Sequence, residues 1–308
     1  MAPIIKALRR RWDGADLNTR LIFCTMAVTI LVWLVHFVLV LFRADPYSLE
    51  RELWLSPDLY TLSRHPWSIL TYMWIHADVW HLLFNMLWLH WFGRLFLRYQ
   101  FPKRLFSLYL LGGMAGGLLY VIVTMLSGWV GIEFFGRPLV GASAGVMAIV
   151  FGTAFYARWE RVQLLFVGQI RLTTLAIGLF LLDILLLTGG NYGGHLAHIG
   201  GALFGVWFAL SLARGRDITA WFQRLGDRLV DGVHSFGRSK RSHGKSTFRV
   251  HNRKDATPSS PSSAPTPTDA SSDAAASVDD ILDKIRISGY TSLTAEEKRR
   301  LFEQSKRL

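Results

Sequence analysis

The chain has 308 residues, 51% of them hydrophobic, with a mean hydropathy of +0.27 and a formal net charge of +12. Its apolar residues crowd into 20–213 and leave 214–308 polar, which excludes a single soluble globular domain and predicts a membrane protein with a polar tail. The Lys and Arg residues stand beside apolar segments, where topology signals and anionic headgroups account for them, so the positive charge does not indicate nucleic-acid binding.

The single cysteine, Cys24, allows no intrachain disulfide and no Cys-rich metal site. Residues 1–20 carry Lys6, Arg9, Arg10, Arg11 and Arg20 and are expected to be cytoplasmic. The run Leu21–Phe42 is too long for the core of a signal peptide. It ends in Arg43-Ala44-Asp45-Pro46 without a small-x-small cleavage pattern, so it is expected to be a retained first transmembrane helix. The loop 43–76 holds Trp54, Tyr60, Trp67, Tyr72 and Trp74, aromatics suited to the headgroup layer. A structured outer loop partly sunk into the outer leaflet is expected there.

Five further spans follow at 77–97, 104–126, 141–157, 172–189 and 194–213, each near the ~20 residues a bilayer needs. His81, Asn85 and His90 interrupt the second span, which suits a helix facing a wet cavity. The fourth is short and rich in Gly and Ala. Gly112-Gly113-x-x-Gly116-Gly117 in the third span and Gly201-x-x-x-Gly205 in the sixth read as close helix-packing positions. Basic residues alternate between connections: Arg94, Arg98, Lys103 and Arg104 after the second span, and Arg158, Arg161 and Arg171 after the fourth. Arg214 and Arg216 follow the sixth, whereas the other connections are poor in net positive charge. This asymmetry and the even number of spans both predict cytoplasmic termini. The expected fold is an all-α membrane protein, a six-transmembrane-helix bundle over residues 21–213, plus a polar C-terminal tail.

In the tail, residues 214–255 are a basic juxtamembrane segment. Within it, Trp221, Phe222, Leu225, Leu229 and Val233 recur at helical spacing, as in an amphipathic helix on the inner surface or an ordinary soluble helix. Residues 256–277, mostly Ser, Pro, Thr and Ala, cannot build a core and are expected to be a disordered linker. Residues 278–308 predict a small helical hairpin, with Val278–Ile287 as its first helix and a capping box at Thr294-Ala295-Glu296-Glu297 opening its second. So small an element needs a partner, either a cytosolic protein or the chain itself.

Ser143 lies in Gly141-Ala142-Ser143-Ala144-Gly145 at the start of the fourth span, and His198 in Ala197-His198-Ile199-Gly200-Gly201 early in the sixth. Polar groups in lipid-length segments are costly and mark candidate sites. A serine needs a base and oxyanion donors, and a helix start offers unpaired backbone N–H groups. On the predicted topology the second, fourth and sixth spans all enter from outside. His81 and Asn85, four apart on one helical face, would then share a depth with Ser143 and His198. Gly-x-Ser-x-Gly also matches the nucleophile elbow of soluble hydrolases, but no strand–helix pattern surrounds it. A zinc enzyme or transporter using His81, His90, His195 and His198 is a further alternative, although no His-Glu-x-x-His motif is present. Asp183 lies within the fifth span without an assigned role.

With His81-x-x-x-Asn85, Gly141-x-Ser143 and Ala197-His198-x-x-Gly201 in this order, residues 20–213 resemble the rhomboid family of intramembrane serine proteases. The resemblance implies Ser143 as nucleophile and His198 as general base and acid, a dyad without an acidic third member. His81, Asn85 and the Ser143 backbone N–H would form the oxyanion hole. It implies a cavity open to the outside and substrates that are single-span membrane proteins, in contact with the lipid bilayer and without a cofactor. It also links the fifth span and the loop 190–193 to substrate entry. A bacterial inner membrane location with both termini cytoplasmic is expected, and the tail resembles a cytosolic appendage of some bacterial members. The chain departs from the family at Ala144, where Gly often follows the serine. It departs again at Met147, where an aromatic often packs under the histidine, and in lacking a clear Trp-Arg pair in the first loop. A catalytically silent binder of membrane helices is the other reading of the same resemblance, disfavoured because both Ser143 and His198 are present.

Overall fold

Apolar runs free of internal proline fold as the long helices of this chain. The computed structural model describes residues 9–10, 12–129, 137–164, 168–185, 191–237, 281 and 293–305. The expected linker 256–277, most of the expected helix 278–287 and residues 186–190 at the end of the fifth span and the start of the loop after it lie outside the described residues. The chain divides into two compact units, Met1–Ser242 and His243–Leu308.

The first unit begins with α1 (Leu17–Leu41), capped by the Asp16 carboxylate, which accepts from the Thr19 N–H. The first loop contains α2 (Ser48–Leu53), α3 (Leu59–Arg64), α4 (Ser68–Thr71) and a 3₁₀ turn at Tyr72–Trp74. Helix α5 (Val79–Leu97) is capped by Asp78, and α6 (Pro102–Trp129) opens with proline at its first position, where the missing N–H costs nothing. Then come α7 (Ser143–Tyr156), α8 (Leu172–Leu185), α9 (Tyr192–Ala213) and α10 (Ala220–Gly237). The fold is mostly helical, but an all-α reading omits a small hairpin between α7 and α8. Strands β1 (Arg161–Leu164) and β2 (Gly168–Arg171) pair antiparallel, Arg161 opposite Arg171 and Leu164 opposite Gly168. Val162, Leu164 and Ile170 alternate with exposed polar residues, the period of a half-buried strand.

Helices α1, α6 and α9 are long and apolar enough to cross a membrane; α7 and α8 are apolar but shorter. Large apolar side chains stand exposed around the outside, among them Phe37 on α1, Trp91 on α5, Leu182 on α8 and Trp207 on α9. Polar Asn18, Thr25, Thr29, His76 and Asn85 are buried. Apolar outside and polar within is the distribution of a protein solvated by lipid.

The core lies where α6, α7 and α9 meet, and α7 is buried along most of its length. Small residues set the approach. A methyl added at Gly112 would stand 2.2 Å from the Ala148 Cβ, and one at Gly116 2.4 Å from the Ala197 carbonyl oxygen. Methyls at Gly201 and Gly205 would stand 2.1 Å from the Ala144 carbonyl oxygen and 2.4 Å from that of Ala148. Gly116, Gly201 and Gly205 are therefore contact points of backbone on backbone, and Gly112 of backbone on the Ala148 methyl. The first loop is packed into one end of this core. Tyr72 donates its hydroxyl to the Gly113 carbonyl at 2.7 Å, and Leu55 bridges Leu139 through bonds of 3.0 and 2.8 Å.

The basic connections gather at the opposite end. Tyr99 donates to the Glu160 carboxylate at 2.6 Å, with Arg98 3.7 Å from the same group. Arg104 donates to Asp217 at 2.7 Å, tying the start of α6 to the turn after α9. Asp217 also accepts from the Thr219 N–H at 2.9 Å and its hydroxyl at 2.6 Å. In the second unit, α11 (Ala295–Ser305) carries the expected capping box: Thr294 N–H donates to Glu297 at 2.7 Å, and Glu297 N–H to the Thr294 hydroxyl at 3.3 Å.

Burial alone would push the Asp217 carboxyl up, but hydrogen bonds from Thr219 and Arg104 outweigh it and hold it below the ordinary value. A lowered carboxyl stabilises the fold above the unfolded pKa, and the contribution fades as pH falls through the folded one. Asp217→Asn should cost about 1–3 kcal/mol at pH 7, with the gap to wild type closing below about pH 4. Thermal unfolding in detergent across that range measures it.

Candidate active site

Ser143 is the first residue of α7, and three of the four residues before it are held from two sides. Leu139 is bridged to Leu55, the Gly141 N–H donates to the Tyr72 carbonyl at 2.9 Å, and the Ala142 N–H donates to His76 Nε2 at 3.3 Å. The tautomer of His76 follows from its other neighbour. The Thr29 hydroxyl spends its hydrogen on the Trp74 carbonyl at 2.9 Å, so at 3.1 Å it accepts from His76 Nδ1–H. Nε2 is then the lone pair that receives Ala142. A brace of α1, His76 and the Ala142 backbone thus aims the start of α7. After it, the Ser143 N–H has no acceptor among the described residues, as the first turn of a helix leaves it.

Gly141 has φ +117°, and a Cβ there would stand 2.6 Å from His81 Cε1. The imidazole of His81 lies against bare backbone, two residues from the serine. His81 is positioned by Asp78, which caps α5 by accepting the His81 N–H at 2.9 Å. Asn85, one turn on, donates one amide hydrogen to the His81 carbonyl at 2.8 Å, leaving the other free for a ligand. His198 stands on α9, within electrostatic reach of His81.

Ser143, His198, His81 and Asn85 all line one cavity of about 690 Å³. The structure therefore brings the four expected residues together. Ser143 Oγ makes no hydrogen bond to His198 among the described residues; the two face a shared space. Met147 lines the same cavity, while Ala144 faces away into the core, where Gly116 and Gly201 leave room for it. Phe84, Trp88, Leu179 and Leu182 form an apolar wall contributed by α5 and α8.

Helix α8 contributes a group, Asp183, to which the sequence assigns no chemistry. Asp183 Oδ1 accepts from His198 Nδ1 at 2.8 Å and from His195 Nδ1 at 2.9 Å. The other oxygen, Oδ2, is buried without a partner among the described residues. The signal was present, a lone carboxylate in an apolar helix, but its partners lie 12 and 15 residues away across a connection. The four-histidine metal set is not assembled: among the described residues the tight His/acid grouping is Asp183, His195 and His198, without His81 or His90. His76, in the loop before α5, is the brace of the serine turn.

Known proteins extend this picture. Residues 63–215, which include all four cavity residues, match the rhomboid domain. Over 160 residues the chain is 31% identical to RHOMBOID-like protein 12, mitochondrial, of Arabidopsis thaliana, covering 48% of this chain and 47% of that protein. The chain thus spans about half the length of this curated relative. Residues 273–307 match a family of unknown function, DUF6576. Through residues 63–215 the chain belongs to the rhomboid family, and with its apolar helices it is an integral membrane protein.

Gly141→Ala tests the serine turn. Both the positive φ and the His81 ring oppose a methyl, so the variant should lose about 1–3 kcal/mol of stability and displace His81. Gly128→Ala, whose methyl meets nothing within 4 Å, serves as control and should unfold at or above the wild-type temperature.

Proposed function

We propose that the protein is an intramembrane serine endopeptidase that cleaves transmembrane segments of single-span membrane proteins. The observation that carries this reading is the one cavity shared by Ser143, His198, His81 and Asn85, with the Ser143 N–H unpaired among the described residues. Ser143 Oγ attacks the scissile carbonyl carbon while its proton passes to His198. The Ser143 N–H, the free amide hydrogen of Asn85 and the His81 imidazole receive the developing oxyanion. His198 then returns the proton to the amine as the C–N bond breaks, and water repeats the sequence to release the acyl group.

The membrane setting is part of the proposal. Six spans place both termini in the cytoplasm of a bacterial cell, with the basic connections facing the inner leaflet. The clustering of Glu160, Arg98, Arg104 and Asp217 at one end of the bundle supports this alternation. Helix α7 has 14 residues, a length of about 21 Å against about 30 Å of hydrocarbon. If its inner end meets the cytoplasmic surface, Ser143 lies well below the outer one, in a cavity that water must enter. Exposed Trp221, Leu225 and Leu229 on α10 suit a helix resting on the inner surface. Residues 256–277 link the membrane domain to the element at 278–308, which docks to a cytosolic partner or to the chain itself.

Ser143→Ala should abolish cleavage of a single-span reporter substrate in liposomes; persistent cleavage refutes the dyad. A fluorophosphonate probe should label wild type and fail to label His198→Ala. Deletion of residues 256–308 should leave the cleavage rate within about threefold of the full chain, since only removal of contacts to the reacting atoms alters transition-state stabilisation strongly. A dead truncation contradicts the modular tail.

A further inference from the structure

We propose that Asp183 is the positioning residue of the catalytic base, so that this chain works with a serine–histidine–aspartate relay clamped by a second histidine, His195. The proposal rests on the protease reading above and deepens it. Three observations support it.

The first is the hydrogen-bond pattern. Asp183 Oδ1 lies 2.8 Å from His198 Nδ1 and 2.9 Å from His195 Nδ1. A carboxylate oxygen can only accept, so both Nδ1 atoms carry hydrogen. His198 is thereby fixed as the tautomer with a lone pair on Nε2, the form that can take a proton from Ser143. The second is location. Asp183, His198 and Ser143 line the same cavity, and the side chains of Asp183 and His198 are only 12% and 19% exposed. The third is the clamp. His195 and His198 are one helical turn apart on α9, so both reach one carboxylate from one face. His195 satisfies part of the Asp183 charge before any reaction begins, and the ring centroids of the two histidines stay 6.0 Å apart.

The charge balance gives the arrangement a purpose. With both imidazoles neutral and Asp183 ionised, the cluster carries one negative charge. When the Ser143 O–H bond breaks, its electron pair forms the bond to the scissile carbon, and the proton goes to His198 Nε2. The cluster then becomes neutral as an ion pair. In surroundings of low dielectric that change favours the transition state over the ground state. Without the carboxylate, the same transfer would create an unpaired imidazolium, a costly species there. The other groups facing His198 are His81 from α5 and Ser143 from α7; Asp78 and Arg137 complete the charged lining of the cavity.

A structural latch between α8 and α9 is the competing role, and the pH profile separates the two. Wild type, Asp183→Asn, Asp183→Glu, His195→Gln and Ser143→Ala are compared as full-length proteins in liposomes, with and without EDTA. Asp183→Asn keeps the size of the side chain but loses its charge. Its kcat should fall about 100-fold or more, with the acidic limb of the rate profile moved to lower pH. Asp183→Glu should recover part of the rate, and His195→Gln should lose about tenfold or less. An Asp183→Asn rate within about threefold of wild type overturns the proposal, as does a loss that is uniform across pH. Activity abolished by EDTA overturns it too, because a bound ion would then hold the cluster. Cleavage retained by Ser143→Ala would instead bring down the protease reading itself, so the two failures are distinguishable.

Discussion

The arrangement depends on how closely α7 can lie against α6 and α9. At Gly112, Gly116, Gly201 and Gly205 the neighbouring backbone or methyl occupies the space a side chain would take. In a lipid-solvated bundle there is little hydrophobic gain in bringing helices together, so close packing of small residues has to provide the attraction. The same contacts fix the rotation of α7 and α9. Ala144 faces Gly116 and Gly201 inward, which leaves Ser143 on the cavity side. Gly201 packs on Ala144, which turns His198, one turn earlier, toward the same space.

Helix packing alone would leave the serine turn free to move. The chain removes that freedom with polar groups kept out of lipid. Thr29 on α1, His76 in the loop and the Ala142 backbone form one continuous hydrogen-bond chain, and Leu139 and Gly141 are pinned beside it. Each buried donor in this chain has its acceptor, as a low-dielectric interior requires. Beyond it, among the described residues, the Ser143 N–H has no acceptor, as the first turn of a helix leaves it. An unsatisfied donor held rigidly at a cavity is the property an oxyanion site needs, since it costs no reorganisation when charge appears. His81 shares this logic, because its ring rests where only glycine leaves room.

Much of the fold was legible because its signals are local. Hydropathy over about 20 residues marks a span, and a cap or a glycine pair reports on its own turn. The His81 and Asn85 pair, the serine motif and His198 were visible for the same reason: each is an unexpected polar group in an apolar window. The hairpin at 161–171 was hidden between spans, where a few alternating residues among arginines look like a charged turn. The role of His76 was hidden because its partners, Thr29 and Ala142, are distant in the chain. The departures at Ala144 and Met147 could be seen in the sequence, but their consequences could not. Ala144 turns out to be matched by two glycines on other helices, and Met147 to lie on the cavity wall.

The sequence by itself determined which segments are helical, which are apolar enough to enter a membrane, where positive charge accumulates and which polar residues need explaining. Those properties depend on composition and period along the chain. Only the tertiary structure decided which polar residues meet. Asp183 and His198 pair because α8 and α9 stand at a particular rotation and height, and a shift of one residue in either would turn a side chain by about 100°. Rotation and height are set by contacts such as Gly201 on Ala144 that join helices far apart in sequence. A lone carboxylate in an apolar helix was therefore an isolated oddity in the sequence and became the partner of His198 only in the folded bundle.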